Sequence, residues 1–170
     1  LIMHGEALRI LPFHRLIGDS VDLSDVSLLN ALNQKFEVKK ANAKFLPDSK
    51  REFGLRLQSG WYRLTLKDYE GDETAVSHLD SVILSKTVLE PIYGITDQKT
   101  DKRISFIPGN EGLAPYEKQI DQAKAKALFT LYQVTADELY AISDEGSTMP
   151  PKSTFIEPKL RSGLTIMSLK

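Results

Sequence analysis

Two periods of apolar residues run along this chain, and an element boundary is expected where one gives way to the other. "LIMHGEALRIL" reads as two short strands around Gly5, the second closed by Pro12, which cannot donate to a sheet ladder. On that reading His14 and Arg15 stand just past a strand end. In "DLSDVSLLNALNQKF" the residues Val26, Leu29, Leu32 and Phe36 fall on one helical stripe, with Asp22 as its cap. "FEVKKANAKF" predicts a strand, and "REFGLRLQSGWYRLTLKDY" divides at Gln58-Ser59-Gly60 into two alternating runs, the pattern of a hairpin. Trp61, Leu64 and Leu66 cannot all share one face, which puts Trp61 at the strand entrance.

Further on, "SHLDSVILSKTVLEPIYGI" predicts a helix from about Leu79 with Val82, Ile83 and Leu89 inward. Pro91 should stop it, because the residue before a proline disfavours helical torsions. "RISFIPG" reads as a strand and "APYEKQIDQAKA" as a short, mostly exposed helix. "ALFTLYQV" is apolar almost throughout, as a central strand covered on both faces would be. Thr135 and Glu138 form a capping box ahead of a helix with Leu139 and Ile142 on its apolar side. A Pro/Gly/Ser loop follows, and "GLTIMSL" reads as a last strand. The predicted class is α/β leaning to α+β, a mixed β-sheet with a hairpin and about four flanking helices. Residues 1–170 suit a single domain.

Composition narrows the function mainly by exclusion. With 41% hydrophobic and 26% charged residues the chain is that of a globular protein. A net charge of -1 offers nucleic acid no overall attraction, so it is not an expected partner. No cysteine is present, which removes disulfides, thiolate zinc sites and thiol nucleophiles and fits a reducing cytosol; the cytoplasm is the expected compartment. No apolar run approaches the roughly 20 residues of a membrane span. His4, His14 and His78 have no metal-ligand spacing, and no metal site is expected. Magnesium accompanying a nucleotide would need only one or two carboxylates, for which Asp19 and Asp22 are the candidates.

The unusual stretch is "MPPKSTFIEPKLRSG", from Met149 to Gly163. Its prolines restrict the chain beside Lys152 and Lys159, Ser153 and Thr154 add hydroxyl donors, and Arg161 could hold an anion bidentately. Glu157 and Pro158 would support that loop. It lacks the glycines of a Walker-type phosphate loop. The alternative reading is a stiff surface connection whose lysines are solvated and whose Glu157 makes a weak exposed pair. "PFHRLI" is the second candidate, with His14 as a proton carrier and Arg15 as an anion clamp; a hydrogen-bonded histidine and a loop-tying arginine would account for it equally.

"ILPFHRLI", "VLEPIYGI...DKRISFIPG" and "MPPKSTFIEPKLRSGL", in this order, resemble the C-terminal half of a bacterial family catalogued as domain of unknown function 1015. The resemblance implies a longer protein, with a preceding N-terminal half that carries an Asp-Gly-His-His-Arg motif and earned the family its SpoOJ/ParB-like label. That half would be this domain's first partner, and the motif is absent here. His14, Arg15, Lys152, Ser153, Thr154, Pro158 and Lys159 match the family's motif positions. Phe13 replaces a smaller polar residue, and Glu157 matches only some members. Family members stand beside serine-biosynthesis genes, and a related group contains a serine kinase.

The resemblance and the basic loop together imply the C-terminal domain of an intracellular enzyme that binds a phosphorylated small metabolite or nucleotide. A phosphoryl-transfer enzyme or a phosphatase, complete only with its N-terminal half, would fit. Nucleotide with magnesium is the cofactor that would suit it. The rival is a non-catalytic regulatory or protein-interaction domain of a ParB-like protein.

Overall fold

A computed structural model describes residues 8–18, 23–69 and 71–159. The strand expected before Gly5 and the one in "GLTIMSL", together with Asp19, Asp22 and Arg161, lie outside the described residues. Strand β1 (Arg9–Leu11) is ended by Pro12, as its missing N–H requires, but the chain re-enters a sheet at once as β2 (Phe13–Ile17). His14 and Arg15 are therefore inside a wholly buried strand, not past a strand end. Pro12 does not end pairing but separates two ladders, β1 with β8 on one side and β2 in the main sheet on the other.

Helix α1 (Asp25–Leu32) is capped by Ser24, whose hydroxyl accepts from the Ser27 N–H at 3.2 Å, rather than by Asp22. Its buried face is Leu28 and Leu32, while Val26 is exposed and Phe36 already opens β3 (Phe36–Ala41). The hairpin β4 (Glu52–Leu57) and β5 (Gly60–Leu66) follows the alternation. Tyr62, Leu64 and Leu66 face one core and Trp61 the other, where its indole N–H donates to Glu117.

The next helix does not stop at Pro91. It runs as α2 (Asp80–Leu84), a π-turn (Ser85–Leu89) and α3 (Glu90–Tyr93), ending at Gly94 with φ 64°. The π-turn is what admits the proline. The Glu90 N–H reaches back to the Ser85 carbonyl, five residues away, so the widened turn relieves the clash an α-turn would impose on the Pro91 ring. Burial follows the changed period, with Ile83, Val88 and Tyr93 inward at spacings of five.

The remaining elements are β6 (Ile104–Pro108), α4 (Ala114–Asp121), β7 (Ala127–Leu131), α5 (Ala136–Asp144) and β8 (Phe155–Glu157). Six strands form one sheet in the order β3-β5-β4-β7-β2-β6, and β1 pairs with β8 in a separate ribbon. Every ladder is antiparallel. With helices packed on the sheet, the fold falls on the α+β side of the expected class.

β7 is the central, fully buried strand that "ALFTL" predicts. α1 and the α2–α3 helix cover one face of the sheet around Phe53, Leu55 and Phe129; α4 covers the other around Leu16, Trp61 and Leu128. The capping box at Thr135 and Glu138 starts α5, whose Ile142 packs with Leu79 and Val134 in a small third cluster.

Candidate functional site

Along β2, side chains alternate between the two faces of the sheet. Phe13, Arg15 and Ile17 face the α2–α3 side, and His14 and Leu16 face the α4 side. The two residues that the sequence joins in one dipeptide are thus held on opposite faces.

They nevertheless share one structural task. The β2–β7 ladder ends at Arg15↔Phe129, and the next β7 donor on that side is the Leu131 N–H. His14 Nδ1 accepts it at 3.2 Å, while the Phe13 carbonyl accepts from Arg15 Nη1 at 2.8 Å. Side chains replace the missing rung, and the strands part there. Because Nδ1 is an acceptor, the imidazole proton sits on Nε2. Burial, followed by the Arg15 and Lys44 charges, lowers the His14 pKa to about 4, so the ring is neutral at pH 7.

Arg15 is the most consequential side chain on the other face. It is 2% exposed, yet among the described residues no carboxylate lies within ion-pair distance of it. Its three hydrogen bonds go to neutral acceptors: Nε to Gln98 Oε1 at 3.2 Å, Nη1 to Phe13, and Nη2 to the Lys152 carbonyl at 3.2 Å. The guanidinium lies over the Phe106 ring at 4.5 Å. Burial lowers its pKa to about 9, which leaves it charged at pH 7. A guanidinium has five N–H groups, so two remain unspent.

The late basic segment folds against the early one. Residues 150–153 make a tight turn with Lys152 at φ 58°, and the Ser153 hydroxyl donates to the Pro150 carbonyl at 2.8 Å. Ser153 is buried, with its Oγ 3.4 Å from Ser81 Oγ. β8 then pairs with β1, Phe155 meets Phe13 edge to face at 5.7 Å, and the Lys152 and Lys159 ammoniums lie over those two rings at 5.1 and 4.3 Å. Glu157 accepts from Asn110, the Glu157–Pro158 bond is cis, and Thr154 is half-buried.

Between the turn and α2 opens a cleft of about 180 Å³, lined by Arg15, Ser81, Thr96, Asp97, Gln98, Lys99, Pro150 and Pro151; the Asp97 carboxylate accepts from the Lys99 N–H at 2.9 Å and the Thr100 hydroxyl at 2.8 Å. Beside it, on the far side of Ser81 and Ser153, Lys50, Asp80 and Glu138 line a smaller polar pocket at the gap between β2 and β7. Asp80 accepts from the Arg51 N–H at 3.0 Å, and burial raises its pKa to about 6; Lys50 pairs with Glu138 at 2.8 Å. The sequence brought Arg15, Lys152 and Ser153 into view but missed Ser81, Gln98, Lys99 and Asp80. Ser81 and Asp80 looked like ordinary residues of a helix start, and Gln98 and Lys99 like a solvated turn. His14 is not in this cleft. Among the described residues no group of three or more His, Asp or Glu side chains could hold a metal ion, and no helix is long and apolar enough to cross a membrane.

Residues 1–82 match the family described as Protein of unknown function (DUF1015). This is the family that the "ILPFHRLI" stretch resembles, and the match includes β2 with His14 and Arg15. The DUF1015 match does not extend to the 149–163 loop. No curated protein matches the sequence. Among solved structures, the fold is shared with a glutamate-to-glutamine mutant of a free serine kinase in complex with AMP, at a TM-score of 0.51 and 12% identity over 89% of this chain and 55% of that one. A conserved hypothetical protein from Pyrococcus furiosus is similar at a TM-score of 0.51 and 14% identity, over 89% of this chain and 56% of that one. At such identities the likeness is one of fold. The chain spans about half the length of each.

Proposed function

We propose that this chain is the phosphate-gripping part of an intracellular enzyme acting on a phosphorylated small metabolite or a nucleotide, with the rest of the active site supplied by another part of the same protein. The observation that carries the reading is the buried Arg15 charge, which has no carboxylate partner among the described residues and two unspent N–H groups beside a 180 Å³ cleft. Burying a cation without a counter-charge costs several kcal/mol, and an anion in the cleft would offset that cost.

In this reading Arg15 anchors a phosphate oxygen, Ser81 and Thr96 add hydroxyl donors, and Lys99 answers the second negative charge. Lys152, Ser153 and the Pro150-Pro151 pair shape the wall. Lys159 belongs to the outer basic rim, with Thr154, Glu157 and Pro158 supporting the loop, and Arg161 is a further candidate anion contact by sequence alone. His14 is a positioning residue for the strand ends, and Asp80 is the nearer titratable group. The AMP in the serine kinase structure that shares this fold favours a nucleotide, and that protein's activity favours a link to serine. Magnesium, if used, would come with the nucleotide.

The test is thermal unfolding of the whole protein with AMP, ADP, O-phosphoserine and inorganic phosphate in parallel. At least one should raise the Tm saturably, and Lys99→Ala should weaken that ligand about tenfold, as expected for a lost charged hydrogen bond. A protein whose Tm none of them moves would overturn the reading.

A further inference from the structure

We infer that the largest of the described clefts is a second ligand site, independent of the phosphate site, built for an α-amino acid with an apolar side chain. This cleft, of about 670 Å³, lies between the end of α1, the residues after β5 and the π-turn. Its size suits a small molecule rather than a single water or ion. Tyr69, Pro91, Ile92 and Ala31 supply an apolar floor, and Tyr69 and Ile92 continue directly into the main core.

Two charges on the wall have no ion-pair partner among the described residues. Lys35 and Asp68 both line the cleft, and neither makes an ion pair with any described residue. They are neighbours in space, since the Lys67 N–H donates to the Lys35 carbonyl at 3.0 Å and Asp68 follows directly. Lys86, the other cation of the cleft, is already answered by Glu90 at 3.0 Å. Lys35 and Asp68 beside an apolar floor match a zwitterion with an apolar body.

The π-turn gives an independent reason to expect a ligand here. The Glu90 N–H goes to the Ser85 carbonyl and Pro91 has no N–H, so the helix offers the Lys86 carbonyl no donor from either position. Single π-turns inside helices frequently sit at functional sites.

The experiment is a titration of the whole protein with leucine and phenylalanine, followed by the backbone amide signals of Tyr69 and Ile92. Isocaproate, which lacks the ammonium, leucinamide, which lacks the carboxylate, and serine are the controls. Saturable shifts with leucine or phenylalanine are expected, about tenfold weaker in Lys35→Ala and in Asp68→Asn, with none of the controls binding comparably. Both substitutions are at exposed positions, so neither removes a buried side chain. The inference fails if neither amino acid gives saturable shifts, if the two variants bind them unchanged, or if the singly charged analogues bind as well. Because AMP and phosphate bind elsewhere in this account, their success or failure leaves the outcome unaffected.

Discussion

The Arg15 guanidinium donates to the Lys152 carbonyl at 3.2 Å, across 137 positions of sequence. That bond joins the second strand of the fold to the turn that closes it, and it fixes one wall of the cleft. The arginine therefore serves two purposes, tying the late loop to the sheet and lining the cleft with its charge.

Arg15→Met should separate those purposes. It keeps most of the buried volume but leaves the Phe13 and Lys152 carbonyls without their donor, a loss of about 1–3 kcal/mol for each group that stays dry. Urea denaturation should show a clear fall in stability, with proteolytic cleavage increasing near the 150–153 turn. Unchanged stability and unchanged cleavage would mean that the tie is not formed in solution.

The pH dependence of stability should contain two opposing contributions. Asp80, raised from 3.8 to about 6, contributes stability that is full below its unfolded pKa and lost as pH rises through 6. His14, lowered from 6.5 to about 4, contributes stability that is present above 6.5 and lost as pH falls through 4. Between pH 4 and 6 they largely cancel. Each variant should expose the other: relative to the parent, His14→Asn should lose stability as pH rises from 4 to 6, and Asp80→Asn should lose it as pH falls over the same range. Denaturant midpoints at half-unit intervals measure this, and parallel profiles for all three proteins would contradict the assignment.

Gly54 tests the packing at the sheet centre. A Cβ at this position would fall within 2.5 Å of the Phe45 carbonyl oxygen and would also press on Thr130 Oγ1, so neither the overlying 42–47 segment nor β7 has room for it. Gly54→Ala should cost about 1–3 kcal/mol, as overpacking does, despite alanine's better fit to a strand. A melting temperature equal to the parent's would show that the segment lifts freely.

Much of this architecture can be read from local pattern. The alternation about Gln58-Ser59 fixes a hairpin register, the run from Ala127 to Leu131, apolar but for Thr130, marks a strand buried on both faces, and Thr135 with Glu138 announces a helix start whatever surrounds it. Pro91 misleads because a π-turn depends on which side chains the core accepts at spacings of five, and no local rule contains that. Pro12 misleads because β8 lies far along the chain, and without it the β1 ladder has no partner to end on. The cleft is legible by halves: Arg15 and the 150–153 turn are conspicuous, but Gln98 and Ser81 gain meaning only when folding carries them to the guanidinium. His14 and Arg15 are split by nothing more than strand alternation, which becomes visible once β2 is known to be a strand.

The central claim is that Arg15 is charged, buried and waiting for an anion. Its side-chain Nε–H resonance, assigned by its absence in Arg15→Lys, can be followed as AMP, ADP, phosphoserine or phosphate is added to the whole protein. The account predicts a saturable shift of that resonance with the same midpoint as the thermal stabilisation by the same ligand. A ligand that stabilises the protein while the Arg15 signal stays fixed would contradict it.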